Sequence, residues 1–120
     1  MRAVALGMNM PLLSAIGNDY GFDNIFSREL EGLAHRGDVL VAFSTSGNSS
    51  NILAAVECAK RIGVGTIGFS GEKGELNTRA DVALSVPSQN VAHIQETHLF
   101  LVHLLSQMLK DWWHEHTSSS

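Results

Sequence analysis

A chain of 120 residues holds one domain at most, with room for a single two- or three-layer core. Hydrophobic residues make up 44% and charged residues 17%, which argues against a disordered segment. The net charge of −4 gives no electrostatic reason to expect nucleic acid or an anionic membrane as partner, and a single cysteine, Cys58, excludes an intrachain disulfide.

In chain order, residues 2–6 read as a short strand and residues 11–17 as a loop or helical turn. Residues 23–35 read as a helix with Ile25, Phe26, Leu30 and Leu33 inward, ended by Arg36-Gly37. The β-branched, apolar run 38–43 is of strand length. Residues 49–62 then place Ile52, Leu53, Ala55, Val56, Ala59 and Ile62 on one helical face, closed by Gly63. Cys58 falls among the alanines of that helix and reads as a buried core thiol. A strand over 64–69 follows, then a polar, turn-rich segment over 71–81 with room for one helical turn. Pro87 stops a further strand over 82–86. The long helix 91–114 carries Ile94, Leu101, Leu105, Met108, Leu109 and Trp112 at three- and four-residue steps. The domain is expected over 1–116, with 117–120 a frayed, disordered tail. Strands alternating with helices imply an α/β fold with a parallel sheet covered on both faces. No apolar run approaches the ~20 residues of a membrane span, and no leader-like segment opens the chain, so a cytoplasmic protein is expected.

The most informative stretch is Ser44-Thr45-Ser46-Gly47-Asn48-Ser49, between a strand and a helix. A strand that empties into a hydroxyl-rich loop and then a helix presents free N–H groups and the positive end of the helix dipole to one spot. Such a spot attracts an anion, usually phosphate, and the hydroxyls add neutral donors that need no lysine. A lone Ser46 or Asn48 would read only as a helix cap. The density of hydroxyls favours the anion.

These residues resemble the phosphate loop of the sugar isomerase (SIS) domain, and other segments resemble its phosphoheptose isomerase branch. Ala15-Ile16-Gly17-Asn18-Asp19-Tyr20-Gly21-Phe22 resembles the branch's second motif, and Gly37-Asp38-Val39-Leu40 leads into the loop as its third does. Val86-Pro87-Ser88, then His93-Ile94-Gln95-Glu96 and His103, resemble the last. The resemblance implies a three-layer flavodoxin-like parallel sheet that lacks the family's N-terminal helices and first strand. That strand ends in a Gly-Asn-Gly-Gly-Ser loop absent from this sequence, and its loss would leave unpaired ladder groups on its neighbours.

The resemblance further implies that Ser44, Thr45, Ser46 and Ser49 hold a sugar phosphate and that Asn18 and Asp19 bind the open-chain hydroxyls. Alone, the Asn18-Asp19 dipeptide reads as an Asx turn. Gln95 would bind substrate, His103 would act as the catalytic acid/base, and both would be ligands where zinc is bound. They stand eight residues apart, so on a helix they lie ~12 Å apart along the axis and roughly 80° around it. They can converge only on the two ends of one ligand. His103 read without the family is a satisfied core histidine. His93 stands where the family has arginine, and His98, five residues before His103, is off the i,i+4 spacing of a helical metal pair. His98 reads as structural or as part of a subunit contact. The implied reaction interconverts sedoheptulose 7-phosphate and D-glycero-D-manno-heptose 7-phosphate, in a homotetramer. The alternative is a non-catalytic SIS module that binds a phosphosugar or a protein, as a replication-initiation regulator of the branch does. The family's catalytic glutamate and remaining zinc histidine match nothing in this sequence, so turnover is expected to be weak even if binding survives.

Overall fold

The computed structural model describes residues 2–117. Helix α1 (Met10–Tyr20) begins at Asn9, whose side chain accepts the Leu12 N–H, with Pro11 in the first turn where its missing N–H costs nothing. A 3₁₀ turn at Phe22–Asn24 leads into α2 (Ile25–Leu33). Then β1 (Val39–Ser44), α3 (Ser50–Ile62), β2 (Gly65–Ser70), α4 (Leu76–Arg79), β3 (Val82–Ser85) and α5 (Val91–Thr117) follow. Gly63, with φ of 78°, ends α3 in the left-handed conformation that glycine adopts without penalty.

The three strands pair in parallel in the order β1-β2-β3, so the α/β class expected from the alternating elements is the one observed. The register aligns Val41 with Ile67 and Val82, and Phe43 with Phe69 and Leu84. Because side chains alternate along a strand, Leu40 and Ala42 turn to one face and Val39, Val41 and Phe43 to the other. On the first face Ala42, Val56 and Leu76 form a buried cluster flanked by Leu40, Ile52 and Leu53. Gly68 is required there, since a Cβ on it would stand 2.9 Å from Leu76 Cγ. A second cluster of Leu30, Cys58, Ala59 and Val64 joins α2 to α3, and Cys58 is buried as expected.

Four expectations are corrected. Residues 2–6 form no strand. Leu6 packs against the Leu30–Cys58 cluster, and the Gly7 N–H donates to the buried Glu29 carboxylate at 2.7 Å. The segment is thereby held on the helical layer rather than beside β1, which stays at the sheet edge. Residues 11–17 belong to a full helix, and Asn18 and Asp19 lie in its last turn rather than in an Asx turn. The sheet's second face is covered only at one end. Val39 is 59% and Val82 52% exposed, because α5 buries just Ile94 and His98 before it runs past the sheet. Thr117 is helical, its hydroxyl donating to the Trp113 carbonyl, and residues 118–120 of the expected tail lie outside the described residues.

Candidate functional site

The loop between β1 and α3 leaves the C-terminal end of the sheet. Ser44 is the last residue of β1 and is buried; Ser49 precedes the first turn of α3. Ser49 makes no side-chain cap on the helix. Its Oγ instead lies 3.0 Å from Ser44 Oγ, which is 3.4 Å from Ser46 Oγ. The Asn48 N–H donates to Ser46 Oγ at 3.2 Å. Three of the four hydroxyls singled out in the sequence therefore gather at the start of α3, where the helix dipole is positive. Each of these short contacts leaves lone pairs and hydroxyl rotors that can turn outward to an anion.

The loop is fixed by the segment that follows β2. The Gly71 N–H donates to the Thr45 carbonyl at 3.1 Å, and the Leu76 N–H to the Gly47 carbonyl at 2.9 Å. The Glu75 N–H reaches Asn48 Oδ1 at 2.9 Å. Two glycines let the chains touch: a Cβ on Gly74, at φ +135°, would stand 2.5 Å from Gly47 Cα and from Ser46 O. Gly71 is nearly as tight, since a Cβ there would meet Ile94 Cδ1 and Thr45 O, each at 2.8 Å.

A cavity of about 280 Å³ opens against this loop. Thr45 and Ser46 form one wall, Gly71, Glu72 and Lys73 the next, and Ser88, Val91 and Ile94 the side nearest α5. Glu72 and Lys73 read from the sequence only as part of a polar turn. Their only sequence signal is the glycine on either side, Gly71 and Gly74, which marks a close backbone approach.

Of the four hydroxyl residues Thr45 and Ser46 line the cavity, whereas Ser44 and Ser49 do not, and neither do the remaining candidates. Asn18 and Asp19 are exposed on α1, where Asn18 Nδ2 donates to Asp19 Oδ1 at 3.0 Å. Gln95 and His103 are exposed on α5. His98 is buried, its Nε2 3.2 Å from the Ser70 carbonyl oxygen, which agrees with its structural reading. Among the described residues no group of three or more His, Cys, Asp or Glu side chains could hold a metal ion. Gln95 and His103 supply two donors against the four that a tetrahedral zinc site takes, so the described residues do not fit a closed zinc site. No helix among the described residues is long and apolar enough to cross a membrane.

The fold and loop have close counterparts. The chain is 49% identical over 112 residues to a phosphoheptose isomerase from Campylobacter concisus, a match that takes in 92% of this chain and 59% of the relative. It is 44% identical over 111 residues to one from Akkermansia muciniphila, again across 92% of this chain and 59% of the relative. Among solved structures, a phosphoheptose isomerase from Neisseria gonorrhoeae superposes with a TM-score of 0.85 at 43% identity, covering 88% of this chain and 61% of that one. One from Francisella tularensis gives 0.83 at 40% identity, covering 86% and 56%. This chain thus spans less than two thirds of the length of each. The family model for the SIS domain matches residues 1–71, a stretch that runs through the hydroxyl loop, all of α3 and β2, and the chain belongs to the SIS domain family.

Proposed function

We propose that the chain carries the sugar-phosphate-binding part of a phosphoheptose isomerase, which interconverts sedoheptulose 7-phosphate and D-glycero-D-manno-heptose 7-phosphate for heptose and lipopolysaccharide precursor synthesis. The observation that carries the reading is the gathering of Ser44, Ser46 and Ser49 hydroxyls at the start of α3, in a chain whose relatives bear that name. A phosphate at this point would meet the first N–H groups of α3 and the hydroxyls together, with the sugar lying in the cavity toward α5. Aldose–ketose isomerisation then needs a proton moved between adjacent carbons, by a base with a pKa near the working pH. None of the other candidates lines this cavity in the single chain, so it is for an assembled site that His103 is the proposed acid/base, Gln95 the group that orients the sugar, and Asn18 and Asp19 the partners of its hydroxyls. Zinc is carried as a proposal for an assembled site only, with Gln95 and His103 among its donors.

Homo-oligomerisation, with a tetramer the first choice, is proposed on the apolar residues that α5 leaves exposed. Phe100 at 65% and Met108 at 60% continue with Leu104 and Trp112 along the helix, and a contiguous patch of this kind marks an interface. A monomeric mass by light scattering at micromolar concentration would refute it. A cytoplasmic location is proposed on the soluble biosynthetic chemistry.

The reading is tested by titrating the protein with sedoheptulose 7-phosphate and following its conversion. Binding is expected; failure to bind any phosphate ligand would overturn it. A second reading, a non-catalytic phosphosugar- or protein-binding module, is favoured by the exposure of Gln95 and His103 outside the cavity. Binding without conversion, in an oligomer that includes every segment of the full-length relatives, would decide for it.

A further inference from the structure

We propose that Lys73 supplies the cationic contact of the anion site, an inference that rests on the phosphate-binding reading of the 44–49 loop. The loop itself holds no basic residue, and the chain as a whole carries a net charge of −4. A phosphate monoester carries close to two negative charges at pH 7, so hydroxyls and N–H groups alone leave most of that charge unmatched. Arg61 is occupied with Glu31, and Arg79 with Glu57 and Glu75. Lys73 is the one basic residue among those that line the cavity, it is exposed, and it makes no ion pair among the described residues.

Its position is held from both sides. Two residues before it, the Gly71 N–H is bonded to Thr45 O; two and three residues after it, the N–H groups of Glu75 and Leu76 are bonded to Asn48 Oδ1 and Gly47 O. A Cβ on Gly47 would stand 3.0 Å from the Lys73 carbonyl oxygen. The backbone at Lys73 is therefore strapped directly across the hydroxyl loop. From there a flexible four-carbon stem can bring three N–H donors and a full charge to an anion lying on that loop. Glu72, which borders the same cavity, opposes the anion, so the pair sets the affinity in opposite directions.

The test is calorimetric titration of wild type, Lys73→Gln, Lys73→Arg and Glu72→Gln with inorganic phosphate and with sedoheptulose 7-phosphate, each at low and high salt. Lys73→Gln is expected to weaken both phosphate ligands about three- to ten-fold, the range of an exposed charge pair or somewhat above it. It is also expected to flatten the salt dependence of binding. Lys73→Arg should restore most of the affinity, and Glu72→Gln should tighten binding. Thermal melting, expected to be unchanged because both side chains are exposed, checks the fold. Equal affinity and equal salt dependence in wild type and Lys73→Gln would overturn the role of Lys73 while leaving the phosphate reading intact. Weakened binding with an unchanged salt dependence would overturn its cationic character. Wild-type protein that binds neither ligand would remove the phosphate reading, and this inference with it.

Discussion

Nε2 of His98 lies 3.2 Å from the carbonyl oxygen of Ser70, which also accepts the Val86 N–H at 3.0 Å. One carbonyl at the end of β2 thus ties β3 and α5 to the same point. The His98 ring stands edge-on to Phe43 and Phe69, with centroids 6.0 and 5.8 Å away, while those two rings stack on each other at 4.7 Å. This knot is where α5 meets the sheet, and Ile94, one turn earlier, walls the cavity. His98→Ala removes a buried ring and a donor together. It is expected to cost about 2–4 kcal/mol of stability in urea unfolding, the scale of a large-to-small core change. His98→Gln, which keeps a donor, should recover part of the loss. A cost below about 1 kcal/mol for His98→Ala would mean that α5 is held elsewhere.

Periodicity made the central elements legible: 39–44, 50–62, 65–70 and 82–85 each fall within a residue or so of the expected ranges. Residues 2–6 show its limit. Val4 and Leu6 have strand-like character, but a strand exists only with a ladder partner, and the Gly7–Glu29 bond and Leu6 packing draw the segment to the helices. The hydroxyl loop was legible because its chemistry is concentrated in six consecutive residues. Glu72 and Lys73 were not, because their place beside Thr45 and Ser46 follows from a contact between Gly47 and Gly74 that is 27 residues apart in sequence. The flanking glycines mark a close backbone approach, but local pattern does not say which segment approaches.

The carboxylate of Asp81 accepts the Thr66 N–H and the Thr66 hydroxyl, both at 2.8 Å. These bonds, with Lys60 nearby, hold its pKa below the ordinary carboxylate range. A depressed folded-state pKa contributes stability that is present above the unfolded value of about 4 and is lost as pH falls through the folded value. Asp81→Asn is therefore expected to lower the melting temperature at pH 7. The gap to wild type should narrow as pH drops below about 4. Melting curves by circular dichroism across pH 2–7 check this, and a gap that does not change with pH would contradict it.

Gly74→Ala places a methyl where no atom fits, 2.5 Å from the Gly47 backbone and Ser46 O, at a φ of +135° that side chains rarely adopt. Overpacking and backbone strain together are expected to cost about 2–4 kcal/mol. The change should also weaken anion binding, since the strap over the hydroxyl loop must move. An exposed glycine with open space around it, Gly32, is the control, and Gly32→Ala is expected to be neutral or stabilising. Similar effects at both positions would show that the glycine contact does not set the loop.

Ser44→Ala and Ser46→Ala separate binding from folding. Each removes one hydroxyl from the cluster at the start of α3. Each is expected to weaken sugar-phosphate binding by roughly 1–3 kcal/mol, the scale of a hydrogen bond to a charged group. Calorimetry against sedoheptulose 7-phosphate measures the binding, and a melting curve confirms the fold. Full affinity in both variants would remove the anion from this loop.

The catalytic assignment makes the sharpest demand. His103 and Gln95 are exposed on one helix, eight residues apart, and neither lines the cavity. A positioned proton-transfer group contributes about 10²–10⁴-fold, and it does so only within hydrogen-bond reach of the carbon-bound proton it moves. With His103 outside the cavity of the single chain, the protein is expected to bind a heptose phosphate weakly and to convert it slowly or not at all, with or without added zinc. The assay is isomerisation of sedoheptulose 7-phosphate by wild type and His103→Ala. Ready turnover abolished in His103→Ala would establish the histidine and show that this chain suffices, so that α5 must reach a site by assembly or movement. Ready turnover that survives His103→Ala would sink the assignment, because the proton would then be moved by another group. Absence of turnover in wild type, with phosphate binding intact, is the expected result, and it places the missing chemistry outside the residues that line this cavity.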